Sequence, residues 1–119
     1  MTSPRQNQGT AKEWEASNWL EAQGMRHLAH QVRYPFGEID LIMVDAGVFV
    51  FVEVRMRASP AYGGALASVT RSKRRRIILA ARAWLQARGG PEPACRFDLM
   101  AHECGQWCWV AHAFDETGR

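Results

Sequence analysis

Gly37-Glu38-Ile39-Asp40-Leu41-Ile42-Met43-Val44, then Asp45-Ala46-Gly47, then Val48-Phe49-Val50-Phe51-Val52-Glu53-Val54: this run decides the fold. Both flanks are apolar enough for buried strands, and the three residues between them are a short turn signal. With Ala46-Gly47 as the loop, Val44 meets Phe49 and Asp40 meets Glu53. Directly opposed side chains stand roughly 4.5–5.5 Å apart at Cβ, where like charges destabilise. A chain that only has to fold gains nothing from two acids facing each other in its most apolar hairpin. A chain that holds a divalent metal does. A three-residue loop with a bulge would move Glu53 off line.

Both parities of the hairpin are apolar below the acids. Ile39, Leu41 and Met43 go with Val50, Val52 and Val54, and Ile42 and Val44 with Phe49 and Phe51. Such a sheet is covered on both faces, which calls for helices on each side. Upstream, Thr10-Ala11-Lys12-Glu13 has capping-box spacing and opens a helix that Gly24 ends, with Ala11, Trp14, Ala16, Trp19 and Leu20 on its core side. A strand over residues 30–34 precedes the Pro35-Phe36-Gly37 turn. Downstream, residues 58–69 read as a loop long enough to be functional. A helix from Thr70 or Ser72 to Ala87, closed by Gly89-Gly90-Pro91, buries Ile77, Ile78, Ala81, Trp84 and Leu85. Residues 96–102 and 107–113 read as two last strands. The order α-β-β-β-α-β-β makes an α/β fold, a mixed central sheet with helices packed on it.

The 119 residues suffice for one domain with a single core, and 47% hydrophobic content with five Trp fits a globular chain. We assign residues 10–113 to the domain, with polar tails at 1–9, read as disordered, and 114–119. No apolar run reaches the roughly 18 residues of a membrane span, and residues 1–9 lack a signal-peptide core. Three cysteines in no framework-like array fit a reducing cytoplasm. The net charge of +3 says little by itself.

Alternation along the strands puts Glu38 and Asp40 on one face with Glu53 and Arg55, the register pairing Glu38 with Arg55. Mg²⁺ or Mn²⁺ takes such oxygen ligands together with water and phosphate oxygens. The competing reading is a solvated charge cluster at a strand end. Arg71-Ser72-Lys73-Arg74-Arg75-Arg76 sets five cations in six residues at a helix start. Cations there oppose the helix dipole, so a polyanionic partner explains them better than solvent does, although short basic runs are commonly only solvated. Arg55, Arg57 and Arg82 could extend the patch. His102, Cys104, Cys108 and His112 mimic a zinc set, but a two-residue Gly105-Gln106 turn splits them between two sides, and zinc is not expected. His27 and His30 have no convergent partner in the sequence. Glu13 has two readings, a capping-box member or a functional acid.

Gly37-Glu38-Ile39-Asp40-Leu41-Ile42, Phe51-Val52-Glu53-Val54-Arg55-Met56-Arg57, Tyr62-Gly63-Gly64, Val69-Thr70-Arg71-Ser72-Lys73 and Arg96-Phe97-Asp98 resemble the bacterial YraN family, with Glu13, Ala16, Leu20 and Gly24 in matching spacing. That family is uncharacterised but is similar to the PD-(D/E)XK nucleases, notably archaeal Holliday-junction resolvases. The resemblance implies a restriction-endonuclease-like core. In it Asp40 is the strand acid, Glu53-Val54-Arg55 takes the E-x-K place, and Glu13 and the Val54 carbonyl complete a Mg²⁺ or Mn²⁺ shell. One departure matters. The superfamily's lysine is Arg55 here, which stays protonated and cannot act as a base. Lys73 is the candidate for the missing cation.

The expected function is metal-dependent DNA endonuclease activity on phosphodiester bonds, with branched DNA a candidate substrate. Asp40, Glu53, Arg55 and Lys73 would be catalytic; Arg57, Tyr62, Arg71, Lys73, Arg74, Arg75 and Arg76 would contact nucleic acid. The alternative is a nucleic-acid-binding module of the same fold with little catalysis. Resolvases are dimers, so the resemblance also raises a homodimer. No membrane partner is expected.

Overall fold

The computed structural model describes residues 4–57 and 64–119. Helix α1 (Pro4–Glu21) is followed by three antiparallel strands, β1 (Arg26–Tyr34), β2 (Gly37–Asp45) and β3 (Val48–Arg57). A short helix α2 (Gly64–Ala67) and the long helix α3 (Arg71–Arg88) then cross to β4 (Cys95–Glu103), which pairs parallel to β3 and antiparallel to β5 (Gln106–Phe114). One mixed sheet results, in the order β1-β2-β3-β4-β5. The α/β class and the mixed sheet are as the sequence implies.

Ala46 and Gly47 both adopt positive φ, 50° and 83°, which makes the two-residue turn that fixes the hairpin register. Asp45↔Val48 through Leu41↔Val52 follow the expected pairing. Leu41, Met43, Val50, Val52 and Met100 pack on Ala16 and Leu20 of α1. Ile39, Ile42, Phe51, Phe97 and Leu99 pack on Ile77, Ile78, Ala80 and Ala81 of α3 and on Ala65 and Val69. Ile39 therefore leaves the side of Leu41 and Met43, so alternation breaks across Asp40.

Several expectations need correction. Helix α1 begins at Pro4, so Thr10 lies inside it rather than at its cap, and residues 4–9 are helical rather than tail. Its buried stripe is Glu13, Ala16, Ser17 and Leu20, whereas Trp14 is 41% exposed and Ala11 is also exposed. Residues 64–67 of the expected loop form α2. Strand β1 begins at Arg26, four residues earlier than read. Helix α3 behaves as its signals dictate, with the Thr70 side chain accepting from the Lys73 N–H and Gly89 at the C-cap. No described helix is long and apolar enough to cross a membrane.

Two features bring the sheet and α3 together at one end. A Cβ on Gly37 would clash with the Arg76 carbonyl oxygen, so the start of β2 reaches α3 only because residue 37 has no side chain. The C-terminal residues fold back over the same helix: Arg74 donates from Nη1 to the Gly118 carbonyl, 3.3 Å away, and its guanidinium lies over the Phe114 ring.

Candidate functional site

The hairpin opens where the acids begin. Leu41↔Val52 is the last pair of the β2–β3 ladder, and beyond it the Val54 N–H donates to Asp40 Oδ2 at 2.9 Å. A side chain replaces the backbone carbonyl as acceptor, so the strands separate while Asp40 stays pinned against β3. Glu53 then lies beside it, 5% exposed, its carboxyl hydrogen-bonded to Asp40. Burial first, then the Asp40 hydrogen bond and charge, push the Glu53 carboxyl up to about 9, against the smaller pull of Lys73 and Arg55. Its Oε2 has no hydrogen-bond partner.

Glu13 approaches this corner from α1. It is 8% exposed, its Oε1 has no hydrogen-bond partner, and its carboxyl is pushed up to about 7 by burial and then by the charge of Asp40. A Gln31 hydrogen bond and Arg33 act against that rise. On the far side, Lys73 Nζ lies 3.7 Å from Glu53 Oε2 and 3.8 Å from Glu38 Oε1. Glu38 is also 3.7 Å from Arg33 Nε.

Asp40, Glu53, Lys73 and Glu13 thus share one corner. Chemically, two adjacent carboxyls, a third buried carboxyl and orphaned carboxylate oxygens suit a hard divalent cation. Among the described residues, however, no three His, Cys, Asp or Glu side chains already stand as a finished metal-ligand set.

Other expected residues go elsewhere. Arg55 does not pair with Glu38; its guanidinium donates to the Ser68 carbonyl at 2.5 Å and reaches Ser68 Oγ at 3.5 Å. The Arg57 side chain is 7% exposed and ion-paired with Glu103 at 2.9 Å, a contact not aligned as a hydrogen bond. Arg74 donates to the carbonyls of Val69, Leu66 and Gly118 and is consumed in holding the chain together. Arg71, Arg75 and Arg76 are exposed. Tyr62 lies outside the described residues. Cys104 sits in the β4–β5 turn, and the His112 N–H belongs to the Asp98 network far along β5.

Two groupings escaped the sequence. Asp98 is fully buried and accepts from Arg96, from Trp109 Nε1 at 3.0 Å and from the His112 N–H at 3.1 Å. Arg96 also reaches Asp45 at 2.9 Å, tying β2, β4 and β5 together near the hairpin turn. His30 Nδ1 and His27 Nε2 stand 3.3 Å apart against the Trp14 ring. The register shift between His27 and Ala29 brings this odd-spaced pair together, and no spacing rule announces a bulge. Ser68 as the anchor of Arg55 and Gln31 as the partner of Glu13 likewise leave no motif.

The model of the uncharacterised protein family UPF0102 matches residues 12–101. The chain belongs to that family. It is 46% identical over 114 residues to the UPF0102 protein YraN of Salmonella newport, covering 94% of this chain and 87% of that protein. The YraN proteins of Salmonella heidelberg and Salmonella typhimurium match at the same identity and coverage. The UPF0102 match takes in Glu13, Asp40, Glu53 and Lys73, the corner described above, and also Arg55.

Proposed function

We propose that this protein is a divalent-metal-dependent endonuclease that hydrolyses phosphodiester bonds in DNA, built on a restriction-endonuclease-like core. The observation that carries the proposal is the contrast between two buried carboxylates of one sheet. Asp98 is fully buried and meets donors from Arg96, Trp109 and His112. Glu53 is nearly as buried, beside a second acid, and leaves one oxygen without a donor. A fold that can satisfy one internal carboxylate this fully has left the other open to a ligand.

Asp40, Glu53, Glu13 and the Val54 carbonyl would hold Mg²⁺ or Mn²⁺. When bound, such an ion acts as a Lewis acid on phosphate oxygens and lowers the pKa of bound water. The chain itself contributes three things. Asp40 is aimed by the Val54 N–H. Lys73 brings a positive charge to the mouth of the acid pair, where a phosphate oxygen can take it from Glu38 and Glu53. Arg55, clamped to Ser68, supplies fixed positive charge and fastens the segment before α3.

One observation favours a second reading, a nucleic-acid-binding module with little catalysis. In place of a titratable lysine the site has an arginine whose donors go to Ser68. The deciding experiment offers labelled four-way junction, flap, duplex and single-stranded DNA to wild type and Glu53→Ala, with Mg²⁺, Mn²⁺ or chelator. Metal-dependent cutting that the variant loses supports the nuclease. Salt-sensitive binding by both proteins without product selects the binding module.

A further inference from the structure

Helix α3 does not present its cations as one patch. On a helix of 3.6 residues per turn, Arg71, Arg75 and Arg82 fall within one narrow stripe, and Lys73 lies roughly half a turn away from it. Lys73 faces the acids. The arginine stripe lines a separate groove of about 510 Å³, together with Ser72, Ile78 and Leu79 of α3 and residues 116–118 of the folded-back C-terminus. Most arginines elsewhere are held: Arg33 by Glu38, Arg55 by Ser68, Arg57 by Glu103, Arg74 by three carbonyls, Arg96 by Asp45 and Asp98. Arg71, Arg75 and Arg82 are exposed, and among the described residues no carboxylate or carbonyl takes their donors. Like charges at Arg71 and Arg75, one turn apart, repel each other, and Arg71 also opposes the positive end of the helix.

We propose that Arg71, Arg75 and Arg82 form a second track for a nucleic-acid backbone, on the side of α3 turned away from Lys73 and the acid corner. The stripe runs about 16 Å along the helix, the length of several nucleotides at about 3.4 Å each along one strand. Guanidinium groups suit bidentate contact with successive phosphates, and the Ser72 hydroxyl and the rim backbone add polar partners. The groove is open and carries no apolar floor beyond Ile78 and Leu79, which argues for a charged backbone rather than a stacked base. Glu116 on the rim is the one acid among the lining residues, so it weakens rather than builds the site. The track rests on the nucleic-acid reading of the acid corner but uses none of its residues.

The test is the salt dependence of DNA binding, by anisotropy of labelled duplex and single strand in chelator, for wild type, Arg71→Gln/Arg75→Gln/Arg82→Gln, Glu116→Gln and the control Arg26→Gln. Each phosphate contact contributes roughly 0.7–0.9 to the slope of log affinity against log salt, so the triple variant should lose about 2–3 from it and bind at least ~10-fold more weakly. Glu116→Gln should bind more tightly, and Arg26→Gln should bind as wild type. Melting midpoints confirm that each variant is folded. A folded triple variant with wild-type affinity and slope overturns the track and leaves the acid corner standing. A wild type that binds neither form at low salt overturns the nucleic-acid reading itself.

Discussion

Replacing Glu53 with glutamine should make the metal-free protein more stable at neutral and alkaline pH, although it removes a carboxyl 3.7 Å from Lys73 Nζ. The Glu53 carboxyl is raised from its ordinary 4.5 to about 9 by burial and by Asp40. Between those values the unfolded chain releases the proton and the folded chain keeps it. The contribution of Glu53 to stability is therefore greatest below about pH 4.5, falls as pH rises, and levels off above about 9. At pH 7.5 the gap of three units corresponds to about 4 kcal/mol. Relaxation and water entry reduce such penalties, so a gain near ~2 kcal/mol is the expected outcome for the neutral amide. For a domain of this size that is a rise of roughly 6–12 °C in melting midpoint. The assay is thermal melting from pH 4.5 to 9, with chelator or with Mn²⁺. With chelator the variant should melt higher than wild type at pH 7.5 and converge with it near pH 4.5. Mn²⁺ should stabilise wild type, more so at pH 8.5 than at 6 because it displaces a proton, and should stabilise the variant far less. Parallel pH curves with the variant lower throughout would refute the reasoning.

Glu13→Gln should behave as a weaker copy, its gain growing with pH and saturating near 7, where its carboxyl titrates; the same melts check it. Gly37→Ala should cost about 2–3 kcal/mol in urea unfolding, because its methyl clashes with the Arg76 carbonyl and only a shift of β2 or α3 relieves it. Lys73→Ala should leave the protein folded and reduce metal-dependent cleavage at least ~10-fold, and unchanged cleavage would remove Lys73 from the chemistry. Asp98→Ala should cost about 3 kcal/mol, since Arg96 and Trp109 lose a buried acceptor, while cleavage per folded molecule stays as in wild type.

The hairpin was legible because its rules are local. Apolar residues of both parities, a Gly after Ala46 and an odd-numbered sum fixed the register, and the register brought Asp40 and Glu53 together. The same arithmetic stops at Leu41↔Val52, where a side chain displaces a carbonyl from the ladder. Pairing rules describe backbone groups and cannot anticipate that exchange. Helix α1 misled in two ways. Thr10 and Glu13 have the spacing of a cap, but capping boxes recur inside helices by chance. The helix buries Glu13 and exposes Trp14, contrary to transfer energies, because Ala16 and Leu20 face the aliphatic side of the sheet while Glu13, a turn earlier, faces the corner of Asp40 and Glu38. A buried acid at a position the pattern reserves for an apolar residue is where local and global preference part company, and such conflicts collect at functional sites.

The basic run makes the same point about charge. Five cations in six residues read as a single electropositive face. Helical geometry divides them. Lys73 turns to the acids, Arg74 inward to three carbonyls and the Phe114 ring, Arg71 and Arg75 to the groove shared with Arg82, and Arg76 is exposed outside that groove. The run is therefore three devices that happen to be adjacent in sequence. One brings a cation to Glu53 and Glu38, one latches the C-terminus to α3, and one offers unpaired guanidinium groups to solvent. Removing the second should cost stability without touching the first. Arg74→Ala should lower the melting midpoint by several degrees, yet shift the pH dependence of melting hardly at all, because Arg74 makes no contact with Glu53, Asp40 or Glu13. A change in that pH dependence would show that the C-terminal latch and the acid corner are one mechanical unit.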